Sequence, residues 1–320
     1  MKLKHLGYIT VIMLGTSVSG IITSCGNDDD DGIIYAGDGK NSNEEEDNSN
    51  ASIGNSYAMR YEVPKIRKGK GIYFVYHEAN MSNSSTQKTM NYCLEYDSAA
   101  FHSRWVAFRF DANTRAKNVS RSNTWAEDPK LPASCRLTTD YFQGHDRGHI
   151  CASYDRLFST EANQQTFYMS NMSPQIGDFN ANYWVALEQL IQNWGRLGNY
   201  TNLYVCKGGT IDKDKNQVKG YINHAIANGK YVNMVLPKYY FAAVLAESAN
   251  KTYQAIGFWL EHKNYGYSGD NYATSSMMKE HAMSIDNLEK LTGIDFFCNL
   301  PKALEDNVEA SYSESAWSWK

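Results

Sequence analysis

At 320 residues, of which 42% are hydrophobic and 21% charged, the chain has material for one domain of about 260 residues and a separate N-terminal stretch. The net charge of −4 would weigh against a polyanionic partner if it were spread evenly. It is not: residues 26–55 sum to −8 and residues 57–320 to +2, so the folded part is mildly basic.

The N-terminus carries Lys2 and Lys4, then an apolar run from Leu6 to Ile22 interrupted by Gly15 and Gly20, then Ile22-Thr23-Ser24-Cys25-Gly26. The run is short for a membrane span, which needs ~20 continuous apolar residues. Small residues before a Cys suit a lipoprotein signal peptide over 1–24, with Cys25 the lipidated residue. Such a chain is expected to be secreted and lipid-anchored to the outer membrane or cell surface of a bacterium, its membrane contact made only through the lipid. Residues 25–56 are mostly Asp, Glu, Asn, Ser and Gly, a composition that reads as a disordered acidic tether.

Beyond it, residues 57–320 are expected to form the folded domain. Ile72 to Tyr76, Tyr92 to Tyr96 and Trp105 to Phe110 are rich in β-branched and aromatic residues and read as strands. So do Leu203 to Cys206, Val232 to Leu236, Tyr240 to Leu245 and Ala255 to Leu260, with Gly208-Gly209 marking a turn. A helix is predicted from Asp178 to Trp194, where Phe179, Tyr183, Leu187, Leu190, Ile191 and Trp194 make one apolar stripe. A second follows Ser284 as N-cap, runs through Ile285, Leu288 and Leu291, and ends at Gly293. Strands and helices mix without regular alternation, so the class is α+β. Besides Cys25, five cysteines remain; their odd number implies at least one free thiol.

The densest cluster of reactive residues is His145-Asp146-Arg147-Gly148-His149, followed by Asn171-Met172-Ser173-Pro174-Gln175, Asn180 and Glu188. A His can take a proton near neutral pH, an Arg can clamp a phosphate, and an amide with a carboxylate can hold a hydrated hard cation. Each residue also has an ordinary structural explanation: Asn180, near a helix start, could simply cap it. His145, His149 and Cys151 admit a zinc reading, disfavoured because no second Cys or His pair follows at ligand spacing.

These residues resemble the DNA/RNA non-specific endonucleases, a family that includes mitochondrial endonuclease G and secreted bacterial nucleases. Asp146-Arg147-Gly148-His149 resembles the family's active-site motif, and Asn171 to Gln175 followed by Phe179-Asn180 and Leu187-Glu188 its second block at the same spacing. Trp125-Ala126-Glu127-Asp128-Pro129 and Ser284 to Cys298 also look like bacterial members. The resemblance implies a ββα-metal finger built on a mixed, largely antiparallel sheet with flanking helices. It implies His149 as general base, Asn180 as the direct Mg²⁺ ligand (Mn²⁺ able to replace Mg²⁺), Glu188 orienting metal-bound water, and Arg147 on phosphate. It also implies DNA and RNA as substrates, cut with little sequence preference to 5′-phosphate and 3′-hydroxyl ends.

On an ideal helix Glu188 would lie ~80° round from Asn180, near enough to address the same cation, and Gly148 would leave room for a phosphate. Two positions depart from the pattern. Gln192 stands where some members have an Arg, and so does Asn123, with Arg121 the nearest substitute. The competing functions are a catalytically silent nucleic-acid-binding lipoprotein and a phosphodiesterase acting on small molecules.

Overall fold

The computed structural model describes residues 33–35 and 48–320; the expected signal peptide and Cys25 lie outside them. In chain order the strands are β1 (Ile33–Tyr35), β2 (Ile72–Asn80), β3 (Lys88–Asp97), β4 (His102–Phe110), β5 (Asp146–His149), β6 (Met172–Gln175), β7 (Asn202–Gly209), β8 (Val218–Ala225), β9 (Tyr231–Pro237), β10 (Tyr239–Glu247), β11 (Tyr253–Glu261) and β12 (Ala282–Met283). The α-helices are α1 (Thr160–Gln165), α2 (Val185–Arg196), α3 (Ile285–Thr292) and α4 (Lys302–Glu309). No described helix is long and apolar enough to cross a membrane.

Eight strands form one sheet in the order β1-β2-β3-β4-β7-β10-β11-β12, every neighbouring pair antiparallel. Helices cover both faces, so the central strands are apolar on both sides and read as continuous runs, not as alternation. Along β4, Val106, Phe108 and Phe110 join the cluster that includes Leu187, Leu190, Ile191 and Trp194 of α2. The intervening Trp105 and Ala107 join Ile285 and Leu288 of α3 and Val308 of α4 on the other face. Truncating a fully buried member such as Leu190 to Ala should cost about 2–5 kcal/mol.

All seven predicted strands lie within strands of the structure. Gly208-Gly209 does not make the expected turn: both residues close β7. A Cβ on Gly208 would come within 2.5 Å of the Arg104 carbonyl oxygen and the Phe241 ring, and one on Gly209 within 2.7 Å of Pro237. The glycines are there for close packing within the sheet, a use of Gly that mimics a turn signal.

The second predicted helix is α3. The Ser284 hydroxyl accepts from the Asn287 N–H, and Gly293 ends the helix in the left-handed conformation at φ 67°. Of its three apolar residues Ile285 and Leu288 are buried, while Leu291 is exposed.

The tether also needs correction. Ile33–Tyr35 pairs antiparallel with β2, Ile33 opposite Val75 and Tyr35 opposite Tyr73. This β-branched and aromatic triplet, unlike its acidic surroundings, can add to a sheet edge. Asn50 is buried: its side-chain amide donates to the Ala58 and Pro64 carbonyls, and its Oδ1 accepts the Ile66 N–H. Ordered structure therefore begins well before residue 57.

Candidate active site

Between β4 and β7 the chain leaves the sheet for residues 111–201 and builds the site there. β5 and β6 pair antiparallel, placing Asp146 opposite Gln175 and His149 opposite Met172. β6 is fixed to the main sheet through Ser173, whose hydroxyl lies 2.7 Å from His102 Nε2 and 2.6 Å from the Tyr240 hydroxyl. The end of β5 is fixed by Asn171, whose Oδ1 accepts the Cys151 N–H at 2.8 Å while its amide donates to the Cys151 and Thr166 carbonyls. Gly148 does not leave open space for a phosphate, as first expected. A Cβ there would lie 2.0 Å from Gln175 Oε1, so the missing side chain makes room for Gln175.

The predicted first helix begins differently from expectation. Phe179–Trp184 is a π-helical turn that passes into α2 at Val185. Turns of this kind are rare and concentrate at functional sites. Because a π turn advances fewer degrees per residue than an α turn, it reduces the angular offset between Asn180 and Glu188 expected from an ideal helix. Asn180 is not a cap. Its Nδ2 donates to Asp146 Oδ2 at 3.0 Å, which ties the π turn to β5 and leaves the amide oxygen as the end available to a cation.

His149, Arg147, Asn180 and Glu188 line one cleft of about 420 Å³, together with Arg121 and Asp146. His149 packs edge-on against Phe167 with ring centroids 4.9 Å apart, and its Nε2 is buried with no hydrogen-bond partner. Burial first, then the charges of Arg121, Lys207 and Arg147, hold its pKa well below the ordinary imidazole value. The ring is therefore neutral at physiological pH, the form that can accept a proton. Burial, with the Asp155 carboxylate adding to it, pushes Glu188 up to about 7 against the opposing pull of Lys207 and Arg121. Lys207 and Asp155 form a 2.9 Å ion pair with both side chains fully buried. Arg147 is held by three contacts: its guanidinium lies 3.7 Å from the Trp125 ring centroid and 4.2 Å from that of Tyr141, and it donates to the Thr139 carbonyl.

Several of these partners escaped the sequence reading. Asp146 was inside the motif but had no role. Trp125 and Tyr141 flank Arg147 from outside it, and Asp155 and Lys207 meet only through the fold. The two departures find structural places. Asn123 Oδ1 accepts from Arg121 Nε at 2.7 Å and so steadies the Arg that reaches the cleft. Gln192 Nε2 donates to Asp155 Oδ1 at 3.0 Å, where it supports the buried ion pair. The zinc alternative has no geometric support, because Cys151 is fully buried in the core and does not line the cleft. All five described cysteines are buried free thiols.

The oxygens of Asn180, Glu188 and Asp146 form a hard donor set of the kind that suits a hydrated divalent cation, and no thiol competes with them in the cleft.

Residues 71–303 match the sequence profile of the DNA/RNA non-specific endonucleases. The chain belongs to that family. It is 25% identical over 230 residues to the mitochondrial nuclease EXOG of Mus musculus, covering 70% of this chain and 60% of that protein. It is 29% identical over 224 residues to a nuclease of Nostoc sp., covering 68% and 75%. Against human mitochondrial endonuclease G the identity is 26%, over 66% of this chain and 68% of that one. A solved structure of the EndoG/EndoGI complex superimposes with a TM-score of 0.52 at 22% identity, over 70% of this chain and 88% of that one. At that identity the likeness concerns the fold, which is the expected α+β ββα arrangement.

Proposed function

We propose that this protein is a sugar-non-specific endonuclease that hydrolyses phosphodiester bonds of DNA and RNA with Mg²⁺, for which Mn²⁺ can substitute. The observation that carries the reading is that His149, whose Nε2 has no hydrogen-bond partner, lines the same cleft as Asn180, Glu188 and two arginines. Family membership supports it independently.

In this reading His149 takes a proton from an attacking water, a contribution of typically ~10²–10⁴-fold in rate. Arg147, held by its aromatic stack, binds a phosphate oxygen, and Arg121 adds a second positive charge to the cleft. Asn180 would hold the cation through its carbonyl oxygen, while Glu188 would accept hydrogen bonds from the ion's water ligands. A divalent ion bound there supplies charge stabilisation for the phosphate and for the leaving 3′ oxygen. In this reading the nucleophile is water and never the ribose 2′-hydroxyl. Products should therefore carry 5′-phosphate and 3′-hydroxyl ends from both nucleic acids.

Digestion of plasmid DNA and of RNA, with and without EDTA, tests this reading when combined with end-group analysis of the products. EDTA-resistant cleavage or 2′,3′-cyclic termini would refute it. We propose further that Cys25 carries the lipid that anchors a secreted, surface-exposed enzyme. Detergent partitioning of wild type against Cys25→Ser checks this, and wild type in the aqueous phase would end the idea.

A further inference from the structure

We propose that the protein has a second divalent-cation site, of calcium chemistry and structural in role, where Asp286 and Glu289 of α3 meet Glu309 of α4. One carboxylate oxygen from each of the three lies within 4.8 Å of the others. Two oxygens sharing a Ca²⁺ at 2.3–2.6 Å can be separated by up to about 5 Å, whereas Mg²⁺ at 2.0–2.1 Å would require them within roughly 4.2 Å. Oxygens within 4.8 Å of one another are in the range that calcium, the more tolerant of the two ions in distance and geometry, can gather. None of the three lines the cleft that holds His149, and α3 and α4 pack on the face of the sheet opposite α2.

An acidic cluster alone would mean little. Here Glu309 is only 4% exposed, and its buried Oε1 has no hydrogen-bond partner. Glu305, one turn earlier on α4, is 1% exposed with Oε2 lacking a hydrogen bond; its nearest cation is Lys302 at 3.5 Å, itself 66% exposed. Glu289 is held in position by the Phe296 N–H, which donates to its Oε1 at 2.7 Å. Leaving a buried carboxylate without a partner is costly, so the group takes up either a proton or a cation. The remaining ligands of a six- to eight-coordinate Ca²⁺ would be water, reached through the half-buried Asp286 and Glu289. A bound ion would join the start of α3 to the end of α4 and so secure the C-terminal helix.

The test is thermal unfolding of the full chain carrying Asn180→Ala, which removes the proposed catalytic ligand, in EDTA and in CaCl₂. At a concentration ~100 times that giving half the effect, Ca²⁺ should raise Tm by roughly 5 °C. MgCl₂ should do less. Adding Glu309→Gln or, independently, Asp286→Asn should abolish the Ca²⁺ response. In the otherwise wild-type chain Glu309→Gln should leave nuclease activity intact. No Ca²⁺ response in the Asn180→Ala protein, or an undiminished response after Glu309→Gln, would overturn the site and leave a cluster that only shares protons.

Discussion

Asn180 donates its side-chain amide to Asp146 Oδ2 across 3.0 Å, so the first residue of the β5 motif sets which end of Asn180 faces the cleft. The proposed metal ligand is therefore oriented by a residue 34 positions away in sequence. Asp146→Ala should release the amide to rotate. The Mg²⁺ concentration giving half-maximal cleavage should rise roughly 10–100-fold, the usual cost of losing a residue that orients a ligand. A Mg²⁺ titration identical to wild type would show that amide orientation is irrelevant.

Asn180 and Glu188 should fail in different ways. Asn180→Ala removes the proposed direct ligand and should stay impaired at saturating Mg²⁺, because the cation is no longer positioned against phosphate. Glu188→Ala removes a group that orients water, with losses of roughly 10–100-fold that added metal partly restores. Parallel Mg²⁺ titrations of the two variants separate these outcomes; the reverse ranking would exchange the two roles.

The acid limb of the pH–rate profile should respond to Arg121. His149 titrates well below its ordinary value, so the proposed base remains unprotonated as pH falls through the usual imidazole range. Arg121 is the first of the charges holding it down, after burial, and it also favours ionised Glu188. Arg121→Ala should move the acid limb of kcat/KM to higher pH at saturating metal, whatever it does to the maximal rate. A limb that stays put or moves lower would contradict the electrostatic account.

Two buried histidines outside the reaction should make the fold acid-sensitive. His102 and His262 are lowered to about 4, chiefly by burial. Below pH ~6.5 the unfolded chain binds protons that the folded chain does not accept until near pH 4, so stability falls across that window. At pH 5 each should cost about 2 kcal/mol relative to neutral pH. Urea unfolding of wild type and His102→Gln at pH 7.5 and pH 5 measures it, with a smaller acid loss expected for the variant. Equal losses would mean that His102 is not the source.

The sequence made the sheet legible because strands such as Trp105 to Phe110 are covered on both faces and so appear as unbroken apolar runs. It made α3 legible because Ser284 and Gly293 carry unambiguous end signals. The π turn at Phe179–Trp184 was invisible, because its apolar spacing is that of an α-helix. The glycines misled in a consistent way, since Gly148 and Gly208 serve neighbours contributed by distant segments, Gln175 and Phe241. The reactive residues were legible as a motif, whereas their support was not. The Trp125 and Tyr141 stack, the Lys207–Asp155 pair and the Asn123–Arg121 contact depend on juxtapositions that local sequence does not encode.

The central claim is that His149 is the base, and the direct measurement is cleavage of plasmid DNA by His149→Ala beside wild type at saturating Mg²⁺, with DNA binding measured on the same preparations. The rate should fall by ~10²–10⁴-fold while affinity for DNA changes little, because a general base acts in the transition state. Wild-type turnover by His149→Ala, or loss of DNA binding that by itself accounts for the lost rate, would contradict the assignment.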